Sequence, residues 1–232
     1  GISCQLYNPL DAADVAAKIH TKTKLLWLEA AGSVTMEFPD LLGITRLCQE
    51  RGVMTALDNT WGAGLAFAPF DLDGQGLGVD ISVHALTKFP CGGGDVLMGS
   101  VVTRDAALHQ RLMESHMHAG HGVGGADVAL ILRSLPSMPL RYAQHDATAR
   151  QLAAWLGQQT AVAQVLHPAL PSGLGHEHWR ALCCTEENPQ GRAAGLFSIV
   201  LQPHISRAQA HALCDALRLF KIGYSWGGHA SL

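Results

Sequence analysis

The stretch Val53-Met54-Thr55-Ala56-Leu57-Asp58-Asn59-Thr60-Trp61 leads, through a glycine-rich connection, into Gly78-Val79-Asp80-Ile81-Ser82-Val83-His84-Ala85-Leu86-Thr87-Lys88-Phe89. Two apolar runs of strand length, Val53 to Leu57 and Val79 to Val83, each give way to a residue with chemistry to offer, Asp58 in one case and Lys88 in the other. Upstream, Leu25 to Glu29 reads as a third such run. Between it and Val53, residues Leu41 to Glu50 set Leu41, Leu42, Ile44, Leu47 and Cys48 on one helical stripe. Pro39 and Asp40 mark its start and Gly52 its stop. Strand-length runs alternating with an amphipathic helix are the pattern of βαβ units and a mostly parallel sheet.

Further along the chain, Val96 to Thr103 reads as another strand, with helices at about Asp105 to Ser115, Ala126 to Ser134 and Arg141 to Gln159. The segment Leu135-Pro136-Ser137-Met138-Pro139 is a hinge signal. It divides residues 1–135, a large α/β unit, from residues 136–232, a linker helix and part of a smaller α+β unit. That second unit offers strands at Val162 to His167 and Gly195 to Leu201. A turn-rich stretch from Pro168 to Arg192 lies between them, and a helix at Arg207 to Phe220 follows. Gly1 to Tyr7 reads as the end of a strand whose beginning is absent, and no closing helix follows Tyr224 and Ser225, so both ends are expected to be cropped.

Composition narrows the possible partners. The 232 residues hold 16 Lys and Arg against 19 Asp and Glu, a formal charge of -3, which argues against a nucleic-acid partner held by a basic surface. Charged residues make up 15% of the chain, where a globular domain averages about 25%. With glycine counted and tyrosine left out, roughly 57% of the chain is apolar against about 45–50% on average, an excess that points to sheets covered on both faces or to surface hidden by partner chains. No apolar run approaches the roughly 18 residues of a membrane span. The six cysteines lack a CxxC spacing, and a reduced, cytoplasmic setting is the simplest reading.

Asp58 and Lys88 follow neighbouring strands, and open α/β sheets bind ligands in the crevice beyond the carboxyl ends of their strands. Taken alone, the pair reads more readily as a turn-capping Asp and a solvated Lys. One chemistry needs this set: pyridoxal phosphate is carried covalently on a lysine amine and needs a carboxylate against its ring nitrogen, which a negative charge keeps protonated. Thr87 adds a hydroxyl for a phosphate.

Other candidates are weaker. Gly74, Gly76 and Gly78 precede a strand instead of linking strand to helix, unlike a dinucleotide loop. Gly92-Gly93-Gly94 lacks the Lys-Ser or Lys-Thr of a P-loop. His116, His118 and His121 have no carboxylate or Cys at a matching spacing for a metal. Cys91 reads as buried filler, and the adjacent Cys183-Cys184 pair as incidental to an inserted loop.

The segments LLWLEAAGSVTMEFPDL, LDNTWGAG, GVDISVHALTKF, HPALPSGLGHEHW, GLFSIVL and YSWGGHASL together resemble the Cys/Met-metabolism family of pyridoxal-phosphate enzymes, and within it the cystathionine β-lyase branch. The resemblance implies an α/β, aminotransferase-like (fold type I) sheet, mostly parallel, with helices on both faces, followed by part of a smaller α+β domain. It makes Lys88 the cofactor lysine, Asp58 the partner of the ring nitrogen and Thr87 a phosphate ligand. Ser225 and Trp226 fall at the substrate end of the pocket, where relatives that act at Cγ usually show Leu in place of Trp226. The sequence departs from its relatives at Ala85, where many carry Ser, and at Ala230, where Glu is usual. Asp71 to Gly78 and Cys183 to Ala194 look like longer connections, which cost little.

The implied activity is carbon–sulfur β-lyase chemistry on a small sulfur amino acid, cystathionine, in methionine synthesis, carried out by a homotetramer built as a dimer of dimers. Two alternatives stand beside it: a γ-lyase or γ-replacement enzyme of the same family, and an inactive fragment. The last is suggested because the family's phosphate-binding glycine loop, ring-stacking tyrosine and carboxylate-binding arginine have no counterpart in these residues.

Overall fold

A computed structural model describes residues 1–223 and 225–230. The chain runs through α1 (Ala12–Lys18), β1 (Leu25–Glu29), α2 (Leu41–Glu50), β2 (Met54–Asp58), β3 (Ile81–Ala85), β4 (Gly99–Val102), α3 (Ala106–Ala119) and α4 (Gly125–Ser134). A 3-10 turn at Leu135–Ser137 leads into α5 (Met138–Leu156), β5 (Val162–Leu166), α6 (His176–Cys183), β6 (Ser198–Leu201) and α7 (Arg207–Ala216).

The first four strands form one sheet in the order β1-β2-β3-β4, parallel except for β4, which runs antiparallel to β3. Glu29 lies opposite Asp58, and Asp58 opposite Val83, so the carboxyl ends of the three parallel strands are level. Alternation sets the inward face of β1: Leu26 and Leu28 are buried, whereas Leu25, Trp27 and Glu29 face outward. Helix α2 starts where the Asp40 side chain accepts the Gly43 N–H at 2.9 Å and stops at Gly52, whose φ of +64° suits glycine. Its buried residues Leu41, Ile44, Thr45 and Cys48 follow the spacing of one helical stripe.

One core cluster runs from Leu26, Leu28, Phe38 and Leu57 through Trp61 and Phe89 to Tyr142 on α5, Trp179 on α6, and Ala193 and Ala194. Edge-to-face contacts of Phe38 with Trp61 (5.8 Å) and Phe67 (6.1 Å) lie at its centre. Residues on both sides of the 135–139 segment therefore share one core, while β5 and β6 form their own antiparallel pair.

Several expectations need correction. Gly1 to Tyr7 is irregular; the Tyr7 hydroxyl donates to the Trp27 carbonyl at 2.7 Å without strand pairing, and α1 follows it. The strand expected over residues 96–103 is only Gly99–Val102. The turn-rich stretch contains α6, because Trp179 and Cys183, one helical turn apart, are buried and the indole Nε1 donates to the Arg192 carbonyl at 3.0 Å. The strand expected from Gly195 begins at Ser198, and the helix expected to reach Phe220 ends at Ala216. The helix expected over residues 141–159 spans Met138–Leu156, entered directly from the 3-10 turn.

Candidate active site

A cleft of about 440 Å³ opens beyond the carboxyl ends of β1, β2 and β3, within the usual size range of small-molecule sites. Glu29, Asp58 and Ala85 reach it from the three strand ends, Lys88 from the turn that follows β3, and Ser225 and Trp226 from the far end of the chain. Four of the five residues expected at the site are thus brought together. The fifth, Thr87, is not in the cleft wall: its hydroxyl donates to the Met98 carbonyl (3.3 Å) and accepts the Met98 N–H (3.1 Å), which pins the lysine turn to the segment entering β4.

The lysine turn is held from several sides. Lys88 N–H donates to the Ala85 carbonyl at 3.1 Å and Cys91 N–H to the Leu86 carbonyl at 2.8 Å. From α5, Arg141 donates to the Phe89 carbonyl at 2.8 Å. Phe89 is fully buried and packs on Tyr142 (4.7 Å) and Trp226 (5.5 Å). The backbone that carries the lysine is thus fixed on both sides of it.

At the tip, Lys88 Nζ donates to Ser225 Oγ at 3.2 Å and lies 5.3 Å from the centre of the Trp226 ring. Partial burial holds its pKa below the ordinary lysine value, so it gives up its proton more readily than a solvated lysine. Asp58 Oδ1 accepts the Thr60 N–H at 2.9 Å. Among the described residues, no ion pair joins Lys88 to Asp58 or to Glu29. The amine and the carboxylates thus face one cleft without neutralising each other. His84, beside Asp58 on β3, is pushed towards its neutral form by burial, which outweighs the opposing pull of the Asp58 charge.

Sequence reasoning passed over Glu29, Ser33 and Thr60. Glu29 ends β1 as Asp58 ends β2, and its Oε1 accepts the Ser33 hydroxyl at 2.6 Å. The strand-end argument used for Asp58 applies equally to Glu29. Thr60 carried no comparable signal.

The donor set matches one end of pyridoxal phosphate: an amine of depressed proton affinity and an unneutralised carboxylate on the neighbouring strand. The phosphate end is less well met, since Ala85 has no hydroxyl and that of Thr87 is already bonded. Among the described residues, no group of three or more His, Cys, Asp or Glu side chains is placed to hold a metal ion.

A relative from Rhizobium johnstonii is 40% identical over 235 residues, covering 100% of this chain and 56% of the relative. The cystathionine beta-lyase of Salmonella typhimurium is 34% identical over 236 residues, again with 100% and 56% covered. The chain thus spans little more than half the length of these relatives. Among solved structures, a cystathione gamma lyase from Micromonospora echinospora superposes with a TM-score of 0.85 at 28% identity, over 97% of this chain and 55% of that one. The fold is accordingly the α/β architecture of fold type I. Residues 1–232 match the family described as Cys/Met metabolism PLP-dependent enzyme, and the chain belongs to it.

Proposed function

We propose that the protein containing this chain is a pyridoxal-phosphate-dependent carbon–sulfur β-lyase that cleaves cystathionine to homocysteine, pyruvate and ammonia in methionine synthesis. The observation that supports it most is the placement of the Lys88 amine, 3.2 Å from Ser225 Oγ and beneath Trp226, in the cleft that Asp58 also lines. Pyridoxal phosphate, when bound, supplies a cationic ring that draws electrons from the substrate Cα.

The chain's own residues then have separate tasks. Lys88 would hold the cofactor through its Nζ, and as a free amine it would take the Cα proton and return it to the thiolate sulfur. Asp58 keeps the ring nitrogen protonated. Ser225 keeps the amine aimed into the cleft, and Trp226 walls the substrate end. Thr87 would serve the phosphate by turning its single hydroxyl hydrogen from the Met98 carbonyl to a phosphate oxygen.

The proposal includes assembly into a homotetramer; the large apolar side chains exposed on this chain, among them Trp27, Leu97 and Leu140, are surface that partner copies or the rest of the protein would cover. The absence of a helix long and apolar enough to span a membrane, among the described residues, is compatible with a cytoplasmic enzyme. The separate β5-β6 sheet supports a division into residues 1–135 and 136–232, with Tyr142, Trp179, Ala193 and Ala194 of the second part packed into the core of the first.

The test is to incubate the whole protein, loaded with pyridoxal phosphate, with cystathionine and to identify the keto acid. Pyruvate is expected. Release of 2-oxobutyrate would move the reading to a γ-lyase, in line with the Micromonospora similarity. No keto acid, with no spectral change on adding cofactor, would leave a protein that keeps the fold without the activity.

A further inference from the structure

Thr60 links the two reactive groups of the cleft. It is 7% exposed, in the turn after β2. Its N–H donates to Asp58 Oδ1 at 2.9 Å, and its Oγ1 accepts the Ala85 N–H at 2.9 Å. The Ala85 carbonyl accepts the Lys88 N–H at 3.1 Å, closing the turn that carries the amine. One residue earlier, Asn59 N–H donates to the Val83 carbonyl at 2.8 Å. The backbone ladder between β2 and β3 ends there, and the Thr60 hydroxyl supplies the next rung. An unbroken path of short contacts therefore runs from the Asp58 carboxylate through Thr60 and Ala85 to Lys88.

We infer that Thr60 is a positioning residue that fixes the separation and relative orientation of the Asp58 carboxylate and the Lys88 amine; the inference rests on the roles proposed for those two residues. The Ala85 N–H sits at the start of the lysine turn, and a partly buried N–H stripped of its acceptor is driven to find another. The local way to do so is to rotate that peptide, which moves the turn relative to Asp58. A displacement of about 1 Å between reacting groups can cost on the order of a hundredfold in rate.

The whole protein loaded with pyridoxal phosphate is compared as wild type, Thr60→Val and Thr60→Ser, with Asp58→Asn and Lys88→Ala as controls. Valine keeps the bulk and shape of threonine and removes the acceptor. In Thr60→Val, the visible-region ellipticity per bound cofactor should fall at least about twofold and kcat for cystathionine about tenfold to a hundredfold, with KM changed less than about threefold. Thr60→Ser should restore both within about twofold. A Thr60→Val protein with wild-type ellipticity and kcat, or one altered only in Tm, overturns the proposal. Should valine prevent folding, Thr60→Cys, a weaker acceptor of similar size, must show the same losses at smaller amplitude; unchanged ellipticity there overturns it equally. If Asp58→Asn and Lys88→Ala themselves leave the cofactor spectrum and kcat unaltered, the reading of the site has failed instead.

Discussion

Lys88 Nζ donates to Ser225 Oγ at 3.2 Å across 137 positions of sequence, so the amine is held by a residue from the far end of the chain. Partial burial lowers its pKa from the ordinary 10.5. The unfolded chain keeps that proton to higher pH than the folded one, so unfolding takes up a proton between the two values and stability rises as pH climbs through that window. Lys88→Met removes this dependence. In thermal melts of the cofactor-free protein the variant should have the higher Tm at pH 7, by on the order of one or two degrees, and the gap should close as pH approaches 10.5. Parallel Tm curves for the two proteins would contradict the assignment.

Asp58 contributes both a hydrogen-bond acceptor and a charge, and the two can be separated. Asp58→Asn leaves a side-chain oxygen to accept the Thr60 N–H, which is 2.9 Å away in the native turn, but removes the negative charge. Cofactor should still be retained covalently on Lys88 after borohydride reduction, as seen by mass spectrometry, while kcat falls on the order of a hundredfold. Retention of label by Lys88→Ala, or full activity in Asp58→Asn, would refute the assigned roles.

Gly227 sets how closely the Ser225-Trp226 segment approaches the lysine turn. Its φ is +76°, and a Cβ there would meet Phe89 N at 2.9 Å and the Lys88 carbonyl carbon at 3.3 Å, both backbone atoms that cannot swing aside. Gly227→Ala therefore carries a left-handed strain of about 1–2 kcal/mol and pushes Ser225 away from the amine. A lower Tm together with a reduced kcat/KM is the expected pair of outcomes. Loss of stability with unchanged kinetics would show that the Ser225 contact is dispensable.

The legible parts of this protein were those written in local periodicity. β1 and α2 fall where the apolar spacing puts them, and Asp58 and Lys88 follow their strands because a sheet of this class presents its strand ends to ligand. Helix α6 was hidden because its N-cap is Gly175, which offers no side-chain signal, and its buried face is only Trp179 and Cys183. Helix α1 is seven residues long with one buried side chain, although Asp11 caps it. Thr60 could not have been found by pattern, since its importance lies in a backbone N–H that it meets 25 residues away. Thr87 shows the converse: adjacent to Lys88 in sequence, it turns instead to Met98.

His167 supplies a stability test independent of the cleft. It is 1% exposed, its Nδ1 accepts the Ala169 N–H at 3.1 Å, and its Nε2 is buried with no partner among the described residues. Burial, helped by the Arg150 charge and opposed by Asp146, lowers its pKa from 6.5 to about 4. The folded protein thus keeps the ring neutral where the unfolded chain protonates it, so stability is lost as pH falls from 6.5 towards 4. The loss approaches 1.4 kcal/mol per pH unit and totals about 3 kcal/mol. Asparagine offers an amide oxygen to the Ala169 N–H and does not titrate. Urea midpoints measured for wild type and His167→Asn should therefore diverge at pH 7 and converge by pH 4.5, because only the wild type loses this contribution. Equal slopes over that interval would mean that the ring is protonated in the folded state and that the buried Nε2 has a partner.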